Sequence, residues 1–179
     1  VDIHDRRSDE LRLQAMEERL RDMTERVPGL LFQQRLEKDG RLWHPYMGGA
    51  LTQRLPDIEA IKLNALYLAE IVPTKDYAAL QAALKSSVKN LSPYLVEYRV
   101  RLTDGQMIWL RAEARPHRVD DGAIVWNGYS AEITREKMAE QRVREITERL
   151  PGLVFQQRLE KDGRLSYPFI GGNLDVLKD

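Results

Sequence analysis

The side chains best suited to acid–base or metal chemistry are few and scattered. Three histidines, His4, His44 and His117, lie far apart and lack the paired spacing of a metal site. No cysteine occurs, which excludes disulfides, thiolate nucleophiles, iron–sulfur clusters and cysteine–zinc centres. Gly48-Gly49 is not followed by the G-x-x-x-x-G-K-[ST] pattern of a phosphate loop. No nucleophile–base pair or carboxylate dyad can be located along the chain, so no catalytic residue and no metal site is expected in this segment. His4 falls near the frayed start of the sequence and His117 beside a turn, both solvent positions. His44 differs from them, because a second copy of its surroundings carries Tyr167 instead. A polar-tipped aromatic at both places reads either as a tip touching a cavity or as a half-exposed strand residue.

Composition narrows the partners. The 179 residues contain 28 lysines and arginines and 28 aspartates and glutamates, a formal net charge of zero. The basic excess that usually marks nucleic-acid or anionic-membrane binders is missing, so nucleic acid is not expected as a partner. No apolar run approaches the roughly 20 residues of a membrane helix, and no signal peptide opens the sequence. A cytoplasmic location is the expectation that follows.

The chain repeats itself. Residues 24–51 read TERVPGLLFQQRLEKDGRLWHPYMGGAL and residues 147–174 read TERLPGLVFQQRLEKDGRLSYPFIGGNL, identical at 21 of 28 positions. The offset from Thr24 to Thr147 is 123 residues, close to the length of a small domain. Four segments are therefore expected: an amphipathic helix over 1–26, a complete module over 27–134, a connecting helix over 135–150, and the opening of a second module over 151–179.

Periodicity supplies the elements that would position any site. Leu13, Met16, Leu20, Met23 and Val27 recur at steps of three and four, and Ala139, Val143, Ile146 and Leu150 do the same before the second copy. Each stripe fits either a helix packed on its own domain or a coiled coil between subunits. Pro28 and Pro151 are expected to end these helices. Asp39-Gly40, Asp104-Gly105 and Asp121-Gly122 separate alternating apolar runs and predict three hairpins, joining strands over 30–36 and 42–47, 94–102 and 107–116, and 107–116 and 123–133. Asn127-Gly128 is kept inside the last strand, with the glycine allowing a close backbone approach. Helices are predicted over 57–70 and 74–90, the second with an apolar side of Ala78, Leu80, Ala82, Ala83, Leu84 and Val88.

The order strand, strand, helices, strand, strand, strand, flanked by amphipathic helices, resembles the PAS sensor domain. The segment EYRVRLTDGQMIWLRAEARPHRVDDGAIVWNGYSAEITREK is similar to the C-terminal half of that family, and VPGLLFQQRLEKDG with PYMGG is similar to its opening strand pair. The closing D-I-T-x-x-K signature is present as Glu132-Ile133-Thr134-Arg135-Glu136-Lys137. Ile71-Val72-Pro73-Thr74-Lys75-Asp76 stands where the family usually has I-H-P-x-D, without the histidine.

The resemblance implies an α+β fold: a five-stranded antiparallel sheet in the order 2-1-5-4-3, with helices closing a small cavity over one face. It also implies a sensory input module, as in bacterial sensor kinases and diguanylate cyclases, that senses a ligand or partner. Its signal would pass through Glu132, Ile133 and Thr134 into the following helix, with Thr134 capping a helix that begins around Arg135. Strand parity then places Phe32, Gln34, Leu36, Leu42, His44, Tyr46, Tyr98, Val100, Leu110, Ala112, Trp126, Gly128 and Ser130 on the inward face, as cavity lining or as plain core. Flavin is not expected, because Val100, Leu110 and Ser130 stand where flavin-binding members carry amides and the reactive cysteine is missing. Haem is not expected either, since no histidine lies between Asp57 and Asn90. The cofactor, if any, is left open. A homodimer through the N-terminal and connecting helices is the expected assembly, and a ligand-free dimerisation module with a filled core is the alternative.

Overall fold

The computed structural model describes residues 3–149 and 152–173, so Leu150 of the second stripe lies outside the described residues. The chain divides into two compact units, residues 1–133 and residues 134–179.

The first unit opens with helix α1 (Ile3–Glu25), which stops ahead of Pro28. Strands β1 (Leu30–Leu36) and β2 (Leu42–Gly48) follow, then a 3₁₀ turn at Ala50–Arg54 and helix α2 (Ile58–Leu63). A second 3₁₀ turn (Ala65–Tyr67) runs into the short helix α3 (Leu68–Ile71), and α4 (Thr74–Asn90) is the one long helix of this block. Strands β3 (Tyr94–Arg101), β4 (Met107–Arg118) and β5 (Ile124–Glu132) complete an antiparallel sheet in the order β2-β1-β5-β4-β3.

All three expected hairpins form, and the aspartates explain why. Asp39, Asp104 and Asp121 each accept a hydrogen bond from the backbone N–H two residues on, at 2.9–3.0 Å, bending the chain into the turn. The glycine that follows each of them takes the positive φ of the tight hairpin.

The helix predicted over 57–70 is instead broken in two. Asn64 is extended (φ −151°, ψ 113°), and its side chain accepts from the Leu66 N–H at 3.0 Å, ending one turn and starting the next. An asparagine offering the backbone this local partner competes with helix continuation. The apolar side of α4 also differs from expectation at two places, since Ala78 and Ala82 are exposed. The inward side of α4 carries buried Asp76 and Ser87, with Tyr77, Leu80, Ala83, Leu84 and Val88 half-buried around them.

The core lies between the sheet and these helices. Phe32, Tyr98, Val100, Leu110, Ala112 and Trp126 are buried as strand parity predicts, with Ile61, Val72 and Leu51 closing the layer above them. Gly128 is the close approach expected of it: a Cβ there would sit 2.4 Å from the Phe32 ring and 2.7 Å from Ala114.

Parity fails at one predicted inward residue. Tyr46 is 41% exposed, and Met47 takes the core position instead. Gln33 pairs with Tyr46 but Arg35 with Trp43, so β2 fits one residue more than β1 across this stretch. Pro45, which cannot donate to the ladder, lies in the bulge, and the extra residue turns every later side chain to the other face.

The second unit contains α5 (Thr134–Arg149) and a hairpin of β6 (Gly152–Leu159) and β7 (Leu165–Asn173). It reproduces the first hairpin in detail. The same register shift occurs, between Gln156 and Arg158. Gly49 and Gly172 share positive φ values of 100° and 121°, each pressed on the carbonyl of its counterpart glycine, Gly29 or Gly152. The preceding helices end alike, with Thr24 donating to the Arg21 carbonyl at 2.9 Å and Thr147 to the Arg144 carbonyl at 2.8 Å. The two hairpins differ in cover. Leu30 and Phe32 are buried, whereas their counterparts Leu153 and Phe155 are exposed.

Candidate functional site

His44 and Gln34 meet beneath α2. His44 is buried on β2, with Nδ1 3.1 Å from the Ile61 carbonyl oxygen and Nε2 3.3 Å from Gln34 Nε2. The carbonyl can only accept, so the ring hydrogen sits on Nδ1. Burial pushes the imidazole below its ordinary pKa, against the opposing pull of the Ile61 bond, and keeps it neutral. Nε2 therefore presents a lone pair, to which the Gln34 amide donates. The Phe32 ring stands edge-on to His44, with centroids 6.2 Å apart.

That arrangement commits the other end of the glutamine. Gln34 is 7% exposed, and its Oε1 is buried without a hydrogen-bond partner. Gln34 lines a cavity of about 60 Å³ shared with Leu42, Ala65, Leu68, Tyr77, Leu80, Gln81, Leu84 and Tyr94. Outward from it, a groove of about 350 Å³ reuses Leu42, Ala65, Tyr77, Gln81 and Leu84 and reaches solvent between Gly40, Leu66 and Lys85. Burial holds the Tyr94 phenol well above its usual pKa, with nearby Tyr98 adding to the shift, so it stays protonated.

Apart from the exposed Tyr46, the remaining predicted site residues belong to the core beside this cavity. Val100 and Leu110 are packed among aliphatic neighbours, and Tyr98, whose phenol burial also pushes up, faces Ser130. Ser130 is fully buried, yet its hydroxyl makes no hydrogen bond of ordinary geometry. Trp126 is 0% exposed and donates its indole N–H to the Ser87 hydroxyl at 2.8 Å. Ser87 in turn donates to the Ser92 carbonyl, past the end of α4. Strand β5 is thus tied through Trp126 to the helix whose Leu80, Gln81 and Leu84 form the cavity wall.

The residues at the end of β5 have distinct tasks. Glu132 pairs with Arg54 of the first 3₁₀ turn at 3.2 Å. Ile133 is buried, and its N–H donates to the Trp109 carbonyl at 2.9 Å. Thr134 is the first residue of α5 and so stands at the start of that helix.

Among the polar contacts that sequence reasoning missed, one joins α4 to the sheet. Arg99 grips Asp76 at the start of α4 through Nε (2.8 Å), a terminal nitrogen (3.0 Å) and its backbone N–H (2.8 Å). The arginine beside it holds the Asp76 carboxyl below its usual pKa. Since β3 is an edge strand, this pair satisfies a backbone donor that the sheet leaves open. The signal was present in Asp76, two residues into α4, where an acidic side chain suits the helix start.

The geometry is that of a known fold. Residues 62–130 match the family model described as the PAS fold. The first unit has the PAS fold. A domain of a light- and redox-sensing histidine kinase from Haloarcula marismortui is 18% identical, with a TM-score of 0.50 over 65% of this chain and 99% of that one. A structure described as an RNA-binding light-oxygen-voltage receptor is 16% identical, with a TM-score of 0.53 over 75% of this chain and 38% of that one. A sensory box histidine kinase/response regulator from Burkholderia thailandensis is 22% identical, with a TM-score of 0.45 over 65% of this chain and 86% of that one. At these identities the likeness is one of fold. No curated protein matches the chain.

Proposed function

We propose that the PAS-fold domain is a sensory input module: occupancy of the cavity under α4 is passed along β5 into α5 and on to an output activity. The observation that supports this reading most is the Trp126–Ser87 hydrogen bond, which joins the cavity wall to the strand that leads into α5. The solved structures of similar fold include a domain of a light- and redox-sensing histidine kinase, which agrees with it. The module itself carries no catalytic role in this proposal, and Glu132, Ile133 and Thr134 form the outlet. Cytoplasmic placement goes with it; no described helix is long and apolar enough to cross a membrane. Balanced charge is the ground for leaving nucleic acid out of the proposed partners.

A specific observation favours a second reading, a ligand-free dimerisation module. Leu13, Met16 and Met23 on α1 and Val143 and Ile146 on α5 are all exposed, and burying side chains of this size stabilises by about 1.5–3 kcal/mol each. A homodimer through these helices is compatible with either reading. Two measurements separate them. Native mass spectrometry of protein made in its own host should show a retained small molecule if the domain is a sensor. A Met16→Glu, Met23→Glu variant should halve the light-scattering mass if the helices join subunits. A dimer with an empty cavity would favour the second reading over the first.

A further inference from the structure

We infer that the cavity between the β1–β2 hairpin and α4 takes an uncharged, largely apolar small molecule carrying one N–H or O–H donor, which the Gln34 carbonyl oxygen accepts. This deepens the sensory reading and rests on it for the purpose of the site, although not for its chemistry.

The hydrogen-bond accounting fixes the polarity of the ligand. The Ile61 carbonyl requires a hydrogen on His44 Nδ1, so His44 Nε2 is an acceptor and Gln34 must present its NH₂ to it. Turning the amide over would set two acceptors against each other. Gln34 Oε1 is therefore held in place, buried and unpartnered. A buried carbonyl left this way is costly, and a donor entering the cavity removes that cost.

The lining fixes the rest. None of the nine residues around the inner cavity is charged, so an ion would be desolvated there without compensation. Leu42, Ala65, Leu68, Leu80 and Leu84 supply apolar walls, and Tyr77, Gln81 and Tyr94 are the other polar side chains. The inner space of about 60 Å³ accommodates a donor group and little more; a water molecule alone takes about 30 Å³. The apolar body of the ligand would lie in the adjoining groove of about 350 Å³, where Leu66 and Val88 extend the surface.

Phenol and anisole test this directly, since they share a ring and differ in the donor; benzoate adds a charge. Each is titrated into the protein, with dissociation constants read from amide NMR shifts of Gln34, Gln81 and Leu84. Phenol is expected to bind at least about tenfold more tightly than anisole, and benzoate more weakly than both. In Gln34→Met, phenol and anisole should bind alike. Equal binding of phenol and anisole to the wild type would overturn the inference. So would benzoate binding tightest, or no probe shifting these residues up to its solubility, the outcome expected of a site that holds only water. If Gln34→Met does not fold, the wild-type ratio alone decides. Donor-selective binding with no response in residues 134–149 would fail the sensory reading and leave the ligand class standing. A response in residues 134–149 without donor selectivity would do the reverse.

Discussion

At the residue scale, one imidazole carries a prediction that needs no ligand. His44 has a depressed pKa in the folded state because burial disfavours its charged form. The unfolded chain then binds more protons than the folded one as pH falls through the ordinary histidine value of about 6.5. The contribution to stability is fully present above that value and is lost below it, until the folded pKa is reached. Replacing His44 with tyrosine, the residue at the same place in the second hairpin, removes the titrating group. At the same place in the exposed second hairpin, Tyr167 accepts a hydrogen bond from Gln157 Nε2 at 3.2 Å, with its ring 6.0 Å from Phe155. Urea midpoints at pH 7.5 and 5.5 should fall for the wild type and fall less for His44→Tyr; equal falls would show that another group controls the acid limb. At this scale the sequence was informative about type but not about direction. The paired His44 and Tyr167 left a cavity-side tip and a half-exposed strand residue both open, and the two differ in burial: His44 is buried, Tyr167 exposed. Tyr46 did not obey parity, because a bulge at Pro45 depends on register across two strands, which no single strand records.

At the element scale, α4 ends on a residue in an unfavourable conformation. Leu91 takes the left-handed region at φ 48°, ψ 44°, and its N–H returns to the Ser87 carbonyl to close the helix. Glycine reaches that conformation without the Cβ clash that disfavours it for leucine by about 1–2 kcal/mol. Leu91 is 42% exposed, so its loss sacrifices part of a buried surface. Leu91→Gly is expected to raise stability by about 0.5–1 kcal/mol net, read as a higher urea midpoint at unchanged slope. A lower midpoint would mean that the leucine packs more than its exposure implies. The elements were the most legible level of the sequence. Asp-Gly pairs located the three hairpins of the first unit, and alternation located β3, β4 and β5. Where the expectation failed, at the single helix over 57–70, the cause was the Asn64 side chain acting on its own backbone, an effect that apolar periodicity does not contain.

At the scale of the whole molecule, the sheet order follows from the resemblance, and the repeat follows from the sequence alone. The second hairpin has the bulge, the glycine contact and the helix-end threonine bond of the first, so 21 identities in 28 positions encode one structural unit twice. The location of the cavity was only partly legible. Of the residues expected on the inward face, Gln34 and Leu42 line it, while Tyr98, Val100, Leu110 and Trp126 fill the core. The wall is supplied mainly by α4 and the turns before it, whose placement depends on packing between segments distant in sequence. The central claim is that occupancy of this cavity is felt in α5. Hydrogen exchange across residues 134–149, measured without phenol and with phenol at a concentration that saturates the NMR shifts of Gln34 and Leu84, tests it most directly. The account predicts altered exchange in the wild type on filling and a reduced response in Ser87→Ala, which removes the acceptor of the Trp126 indole. Saturated shifts at Gln34 and Leu84 with exchange unchanged across residues 134–149 would contradict it.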